Sequence, residues 1–303
     1  MLTYEYLDPD TILTSPSFDF VYDFLSSTHR TNIGWHYFTD IAWIHDKVKN
    51  WPRTFKVLDA GGGRGPIQFL LAEMGFDVTN VDLVHPHPPV AYRSRYGTRL
   101  RQLGSYTPTS YRQFLLTFSR HQGSKGAIKS VAKFAFAGAI QSIMARRWRA
   151  KNALRGTHPG RIEWIEGNLC SMPEVPSQSF DAIVSLSALE HIPFEQLPQA
   201  HSEIRRVLKQ EAPWAVTTSG TERKDTWYHA PSQGNCFSEK DLQKLFGASP
   251  FASQDPSRVL DTYRNCSFLR EHLAPSYKRS GDNGMPWGKW NPSYIPVGLS
   301  PAN

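Results

Sequence analysis

The stretch Phe55 to Gly65, FKVLDAGGGRG, limits what this chain can fold into more than any other. A short run of β-forming residues ends at Asp59 and enters a glycine cluster, and the chain goes on as PIQFLLAEMG, whose apolar spacing predicts a helix with a glycine stop. DVTNVD then reads as a second strand ending on Asp82, twenty-three residues after Asp59. Strand, tight turn, helix and strand in that order make the first half of a nucleotide-type βαβ unit. A dinucleotide fingerprint would place a third glycine three residues after Gly63, and Pro66 stands there instead.

The loop offers an acidic residue, Asp59, followed by glycines at alternate positions, Gly61, Gly63 and Gly65. This pattern resembles motif I of the class I S-adenosylmethionine-dependent methyltransferases. The resemblance implies S-adenosyl-L-methionine as cofactor, with the loop backbone passing close under its methionine part, where only glycine avoids a Cβ clash. It also implies that Asp82 accepts hydrogen bonds from both ribose hydroxyls. The implied fold is α/β: a Rossmann-like, mostly parallel sheet of seven strands with an antiparallel edge strand, helices on both faces and a basic helical insertion after the second strand. A tight structural turn in some other α/β protein is the alternative, opposed by the spacing and by the later acid.

The resemblance returns after the insertion and extends to about residue 247. RIEWIEGNLC looks like the third strand and the loop flanking the adenine, with Asn168 where most relatives carry Asp, and Leu169 beside it. SFDAIVSLSALEHI looks like the fourth strand, which brings Ser187, Glu190 and His191 to the carboxyl edge of the sheet, where ligands bind in such folds. PFEQLPQAHSEIRRVLK reads as an amphipathic helix and PWAVTTSG as the fifth strand, entered through Gln210, Glu211 and Ala212 rather than the usual Pro-Gly-Gly turn. Ser238 caps the helix predicted in FSEKDLQKLFG, and NPSYIPVGLS is expected as the antiparallel edge strand. The cofactor contacts implied by the resemblance are Asp59, Gly61, Gly63, Gly65, Asp82, Asn168, Leu169 and Ser187.

Residues 1–54 are expected to form a helical cap, and the methyltransferase domain to comprise 55–84 and 161–303. In HRTNIGWHYFTDIAWIHDKVKNW, the residues Ile33, Tyr37, Ile41 and Ile44 have helical spacing, and Arg30 and Tyr37 are candidate cofactor contacts. The opening MLTYEYLDPD is too polar for a signal peptide, and no apolar run has the length of a membrane span. Three scattered cysteines, Cys170, Cys236 and Cys266, predict a reducing compartment and no metal site.

A net charge of +7 conceals a strong asymmetry. Between Leu83 and Ile162 there are fifteen Lys and Arg and no acid; subtracting them leaves 19 basic residues against 27 acidic ones elsewhere. The insertion, residues 85–160, therefore holds the positive charge. Within it Ile128, Val131, Ala132, Ala135, Phe136, Ala139, Ile140 and Ile143 share one face of a predicted helix that ends in Arg146, Arg147, Trp148 and Arg149. Such a helix suits an anionic membrane surface; docking on its own domain or contact with an acidic partner such as RNA are the alternatives.

A hydroxyl acceptor needs a base, and His191 and His229 are the candidates, with Asp225, Trp227 and Tyr228 expected to line the acceptor pocket. LSALEHI stands where amino-group methylases of nucleic-acid bases carry Asn-Pro-Pro-Tyr or Asp-Pro-Pro-Tyr, and no Pro-Cys pair is present, which argues against DNA. Three readings remain: methylation of a small-molecule or lipid-linked acceptor, at oxygen; RNA methylation, with Tyr92, Tyr96, Tyr106 and Tyr111 among the basic residues; or non-catalytic cofactor binding. The first places the protein in the cytoplasm, with a peripheral position on the inner membrane face if the insertion binds lipid.

Overall fold

The computed structural model describes residues 1–27, 32–63, 65–83, 96–101, 143, 150, 158–279 and 284–302. Nine described strands form one sheet: β1 (Leu2–Tyr6), β2 (Lys56–Ala60), β3 (Asp77–Asp82), β4 (Gly97–Arg101), β5 (Arg161–Glu166), β6 (Ala182–Leu186), β7 (Trp214–Gly220), β10 (Ala248–Pro250) and β11 (Ile295–Pro301). A separate hairpin pairs β8 (Trp227–His229) with β9 (Gly234–Cys236). The sheet order is β10-β1-β11-β7-β6-β2-β3-β5-β4, and every pairing except those of β11 is parallel. Every residue of β6 and of β7 is buried, as expected of parallel strands covered on both faces.

The sheet is mostly parallel and Rossmann-like, as the sequence predicts, with four corrections of detail. It has nine described strands rather than seven. The antiparallel strand β11 is interior rather than at the edge, because β1 pairs along its far side from Leu2↔Pro301 to Tyr6↔Val297. The N-terminal segment is accordingly not all helix: Leu2, Thr3, Tyr4 and Tyr6 are buried in the sheet. The segment expected as a helical insertion also contributes β4, which pairs in parallel with β5. The predicted amphipathic helix lies outside the described residues apart from Ile143, which is exposed.

Two helices position the site. The helix Tyr37–Val48 packs against β6, β7 and β11 and buries Phe38, Ile41 and Ile44. The helix Ile67–Glu73 follows the glycine loop and packs on β3 and β5, with Ile67, Phe69, Leu70 and Leu71 buried. Tyr96 stacks on Phe69 from the β4 side and donates its hydroxyl to Glu73 Oε2 at 2.7 Å, so this tyrosine is a core residue rather than a stacking surface for bases. The helix Leu197–Val207 turns Leu197, Ala200 and Ile204 inward as its spacing predicts. From it Arg206 reaches the carbonyls of Met172 and Val175, and Glu203 accepts from the Met172 amide. These bonds fix the loop that carries Asn168 and Leu169. Ser238 caps its helix by accepting from the Asp241 amide, and Gly247 ends it in the left-handed region.

Candidate active site

The first βα turn is built by crowding from below. Asp59, at the end of β2, is fully buried, and its Oδ2 accepts from Asn80 Nδ2 on the neighbouring strand at 2.8 Å, while Oδ1 has no partner among the described residues. Burial, with a smaller contribution from the Asp82 charge, raises its pKa to about 7, against the opposing hydrogen bond from Asn80. The loop rides directly on this pair: a Cβ on Gly62 would lie 1.9 Å from Asp59 Oδ2 and 2.1 Å from Asn80 Nδ2. Gly61 (φ 73°) and Gly63 (φ 48°) take left-handed conformations, and a Cβ on Gly63 would come within 3.4 Å of Asp82 Oδ2. Backbone bonds from Gly61 N to Val81 O and from Gly65 N to Gly62 O close the turn.

Above the loop lies a cavity of about 830 Å³ at the carboxyl ends of β2, β6 and β7. Gly61, Gly62, Gly63 and Gly65 form its floor, Ser187 and His191 one side, and Trp35, Tyr37, Tyr277 and Tyr294 an aromatic wall. Among the described lining residues there is no Lys or Arg. Ser187 leaves β6 at φ 45°, a conformation costing a non-glycine residue roughly 1–3 kcal/mol, and is held there by its amide to Thr217 O and its hydroxyl to Asp40 Oδ2 at 2.7 Å.

The structure thus gathers five of the residues expected from sequence, Gly61, Gly63, Gly65, Ser187 and His191, on one cavity. Tyr37 also reaches it, while Arg30 lies outside the described residues. Asp82 and Leu169 stand behind the loop, Asp82 beside Gly63 and Leu169 Cδ1 3.7 Å from the Cβ position of Gly61. Asn168 is exposed, and its Oδ1 already accepts from the Cys170 amide at 2.9 Å.

The two histidines fare differently. His191 Nδ1 donates to the Gln233 carbonyl at 3.0 Å, which leaves Nε2 as the acceptor nitrogen at the cavity mouth. His229 is buried behind the wall, its Nδ1 2.7 Å from Ser232 Oγ and accepting from the Ser232 amide, so its proton sits on Nε2, against Gly284. Burial lowers its pKa. It orders the wall through Ser232 and Tyr294, whose ring is 5.2 Å away. Asp225, Trp227 and Tyr228 are not among the lining residues: Asp225 and Tyr228 are exposed, while Trp227 is half-buried against the core and donates its indole N–H to Thr221 Oγ1 at 3.0 Å.

Sequence reasoning missed Gly62, His36, Asp40 and the setting of Glu190. Glu190 is buried and faces the cavity, accepting from Thr218 Oγ1 and Ser219 Oγ, and burial raises its pKa. The His36 and Asp40 spacing of four on a predicted helix was a visible signal; their burial was not. Among the described residues no cluster of three or more His, Cys, Asp or Glu could hold a metal, and no helix is long and apolar enough to cross a membrane.

Comparison with known proteins bears on this arrangement. Residues 129–214 match a family described as a methyltransferase domain, a span that includes β5, β6 and the helix Leu197–Val207. Among solved structures, the chain is similar to a 1,6-didemethyltoxoflavin N1-methyltransferase of Burkholderia thailandensis, solved with 1,6-didemethyltoxoflavin and S-adenosylhomocysteine: 15% identity over 94% of this chain and 90% of the other, TM-score 0.44. It is also similar to a SAM-dependent methyltransferase of Methanosarcina mazei (14% identity, 84% and 95% covered, TM-score 0.41). A TehB-like SAM-dependent methyltransferase of Corynebacterium glutamicum gives 13% identity, 95% and 98% covered, and a TM-score of 0.38. No curated protein sequence matches the chain.

Proposed function

We propose that this chain, whose residues 129–214 match a methyltransferase domain, is a class I S-adenosylmethionine-dependent enzyme that methylates a small-molecule or lipid-linked acceptor at a hydroxyl oxygen. The observation that carries this reading is the single cavity joining the glycine floor to an aromatic wall. At about 830 Å³ it has the size and lining of a small-molecule site. The residues fit the cofactor: a cradle that added Cβ atoms would fill, with the Asp82 carboxylate beside Gly63. When bound, S-adenosylmethionine supplies an electrophilic methyl group on a sulfonium.

In this reading Gly61, Gly63 and Gly65 let the backbone approach the cofactor, Asp82 takes the ribose hydroxyls, and Leu169 and Asn168 flank the adenine. Ser187 shapes the methionine end. The aromatic wall excludes water and orients the acceptor, which is most of what transfer from a sulfonium requires. Residues 55–84 and 161–303 form the catalytic domain, and 85–160 a basic insertion that contacts a membrane surface or caps the acceptor, in a cytoplasmic protein.

Asp82→Ala is expected to weaken S-adenosylhomocysteine binding by roughly 1–3 kcal/mol in calorimetry, since the ribose hydroxyls lose their acceptor. Unchanged affinity would remove Asp82 from the site. The acceptor class is tested by transferring labelled methyl from the cofactor into a cell extract separated into small-molecule, lipid, RNA and protein fractions. Label in the first two supports the proposal; label confined to RNA or protein overturns it.

A further inference from the structure

His36 and Asp40 form a buried pair that the proposed function leaves unused. His36 is 4% exposed and Asp40 fully buried, and His36 Nδ1 lies 2.9 Å from Asp40 Oδ2. The same Oδ2 accepts from Ser187 Oγ at 2.7 Å and from Thr217 Oγ1 at 3.2 Å, so the carboxylate is fixed by β6, β7 and its own helix together. A carboxylate oxygen only accepts, so His36 carries a proton on Nδ1, and in the neutral ring Nε2 is then the acceptor nitrogen. His36 itself lines the cavity, and its Nε2 has no hydrogen-bond partner among the described residues. His191, by contrast, is exposed at the cavity mouth and leans on a neutral carbonyl.

Resting on the methyltransferase reading above, we infer that His36 is the catalytic proton acceptor for an uncharged phenol-class acceptor, with Asp40 as its positioning residue. The acceptor O–H bond breaks, its proton goes to His36 Nε2, and the electron pair left on oxygen forms the new bond to the methyl carbon as the methyl–sulfur bond breaks, its electron pair staying on sulfur and S-adenosylhomocysteine leaving as the neutral thioether. The resulting imidazolium is balanced by Asp40 at 2.9 Å. A flat, uncharged acceptor suits the rings of Trp35, Tyr37, Tyr277 and Tyr294 and the absence of Lys and Arg among the described lining residues.

The groups facing His36 can be named from each packed element. Asp40 lies on its own helix and Glu190, which interacts with it through charge, follows β6. The Tyr37 and Tyr294 rings lie edge-on at 5.1 and 5.6 Å. Both tyrosines are held well above the ordinary phenol range by burial and stay neutral.

The test uses full-length wild-type, His36→Gln and His191→Gln proteins with S-adenosylhomocysteine and 4-nitrophenol, whose ionisation is read from its visible absorbance as pH is varied. Wild type is expected to bind the phenol and lower its apparent pKa; His191→Gln, which alters the cavity side, should bind it more weakly but keep the shift. His36→Gln should keep S-adenosylhomocysteine affinity within about threefold but lose the shift, and lose methyl transfer to the phenol by about a hundredfold or more. A shift that survives in His36→Gln, or that vanishes in His191→Gln alone, overturns the assignment, as does a wild-type protein that takes S-adenosylhomocysteine but no phenol. Failure of wild type to bind S-adenosylhomocysteine would instead overturn the methyltransferase reading beneath it. For Asp40, Asp40→Asn should move the pH profile of the bound phenol upward without changing the fold by circular dichroism. An unmoved profile would reduce Asp40 to a structural residue.

Discussion

Alanine in place of Gly62 is expected to destabilise the protein by about 3 kcal/mol and to cut S-adenosylhomocysteine affinity by about a hundredfold or more, as read by thermal melting and calorimetry. The added methyl would sit 1.9 Å from Asp59 Oδ2, 2.1 Å from Asn80 Nδ2 and 2.4 Å from Asp59 Cγ. Neither partner can yield. Both side chains are fully buried and bonded to one another across β2 and β3. The loop must rise instead, and it rises into the cavity whose floor it forms. Gly247→Ala separates crowding from backbone conformation: its φ of 62° is also left-handed, but nothing lies within 4 Å of its Cβ position. That change should cost only about 1–2 kcal/mol and leave the ligand affinity alone. Equal effects of the two substitutions on binding would mean that the floor is not where the cofactor rests.

The second large effect concerns Asp59 and pH. Its pKa is about 7 in the folded chain, chiefly because burial penalises the carboxylate, and falls to the ordinary carboxylate range near 4 on unfolding. The native state thus keeps a proton that the unfolded chain gives up. Its stabilising contribution is complete below pH 4, declines as pH rises and is lost by about pH 7, amounting to about 2–4 kcal/mol. Asp59→Asn keeps an oxygen to accept from Asn80 and cannot ionise. Melting temperatures of the variant should therefore fall less than wild type between pH 4 and 8, and exceed it at pH 8. Parallel curves for the two proteins would show that Asp59 does not titrate in this interval.

Local chemistry made much of this fold legible. DVTNVD, RIEWIE and PWAVTTS run as strands because β-formers are bounded by Gly, Asn and Pro, and they appear as β3, β5 and most of β7. The Ser238 cap and the inward face of Leu197–Val207 followed from spacing alone. What escaped depends on partners distant in sequence. LTYEY becomes a buried strand only because the last residues of the chain, Ile295–Pro301, pair with it. His36 and Asp40 form an ordinary i, i+4 pair on paper, and Asp40 acquires its meaning from Ser187 and Thr217, 147 and 177 residues away. Trp227 and Tyr228 belong to the expected loop, but pairing with Cys236 and Asn235 makes them successive residues on opposite faces of a hairpin, and neither lines the cavity. The alternate spacing singles out Gly61, Gly63 and Gly65, whereas the tightest contact within the loop falls on Gly62, where the constraint is a buried carboxyl rather than a positive φ.

A sulfonium nucleoside is expected to occupy the cradle over Gly61 and Gly63 beside Asp82. Calorimetric titration of S-adenosylhomocysteine into the full-length protein measures this most directly. Saturable binding at one site per chain is expected, weakened in Asp82→Ala and nearly abolished in Gly62→Ala. A folded wild-type protein that gives no heat, or three proteins that bind with one affinity, would contradict it.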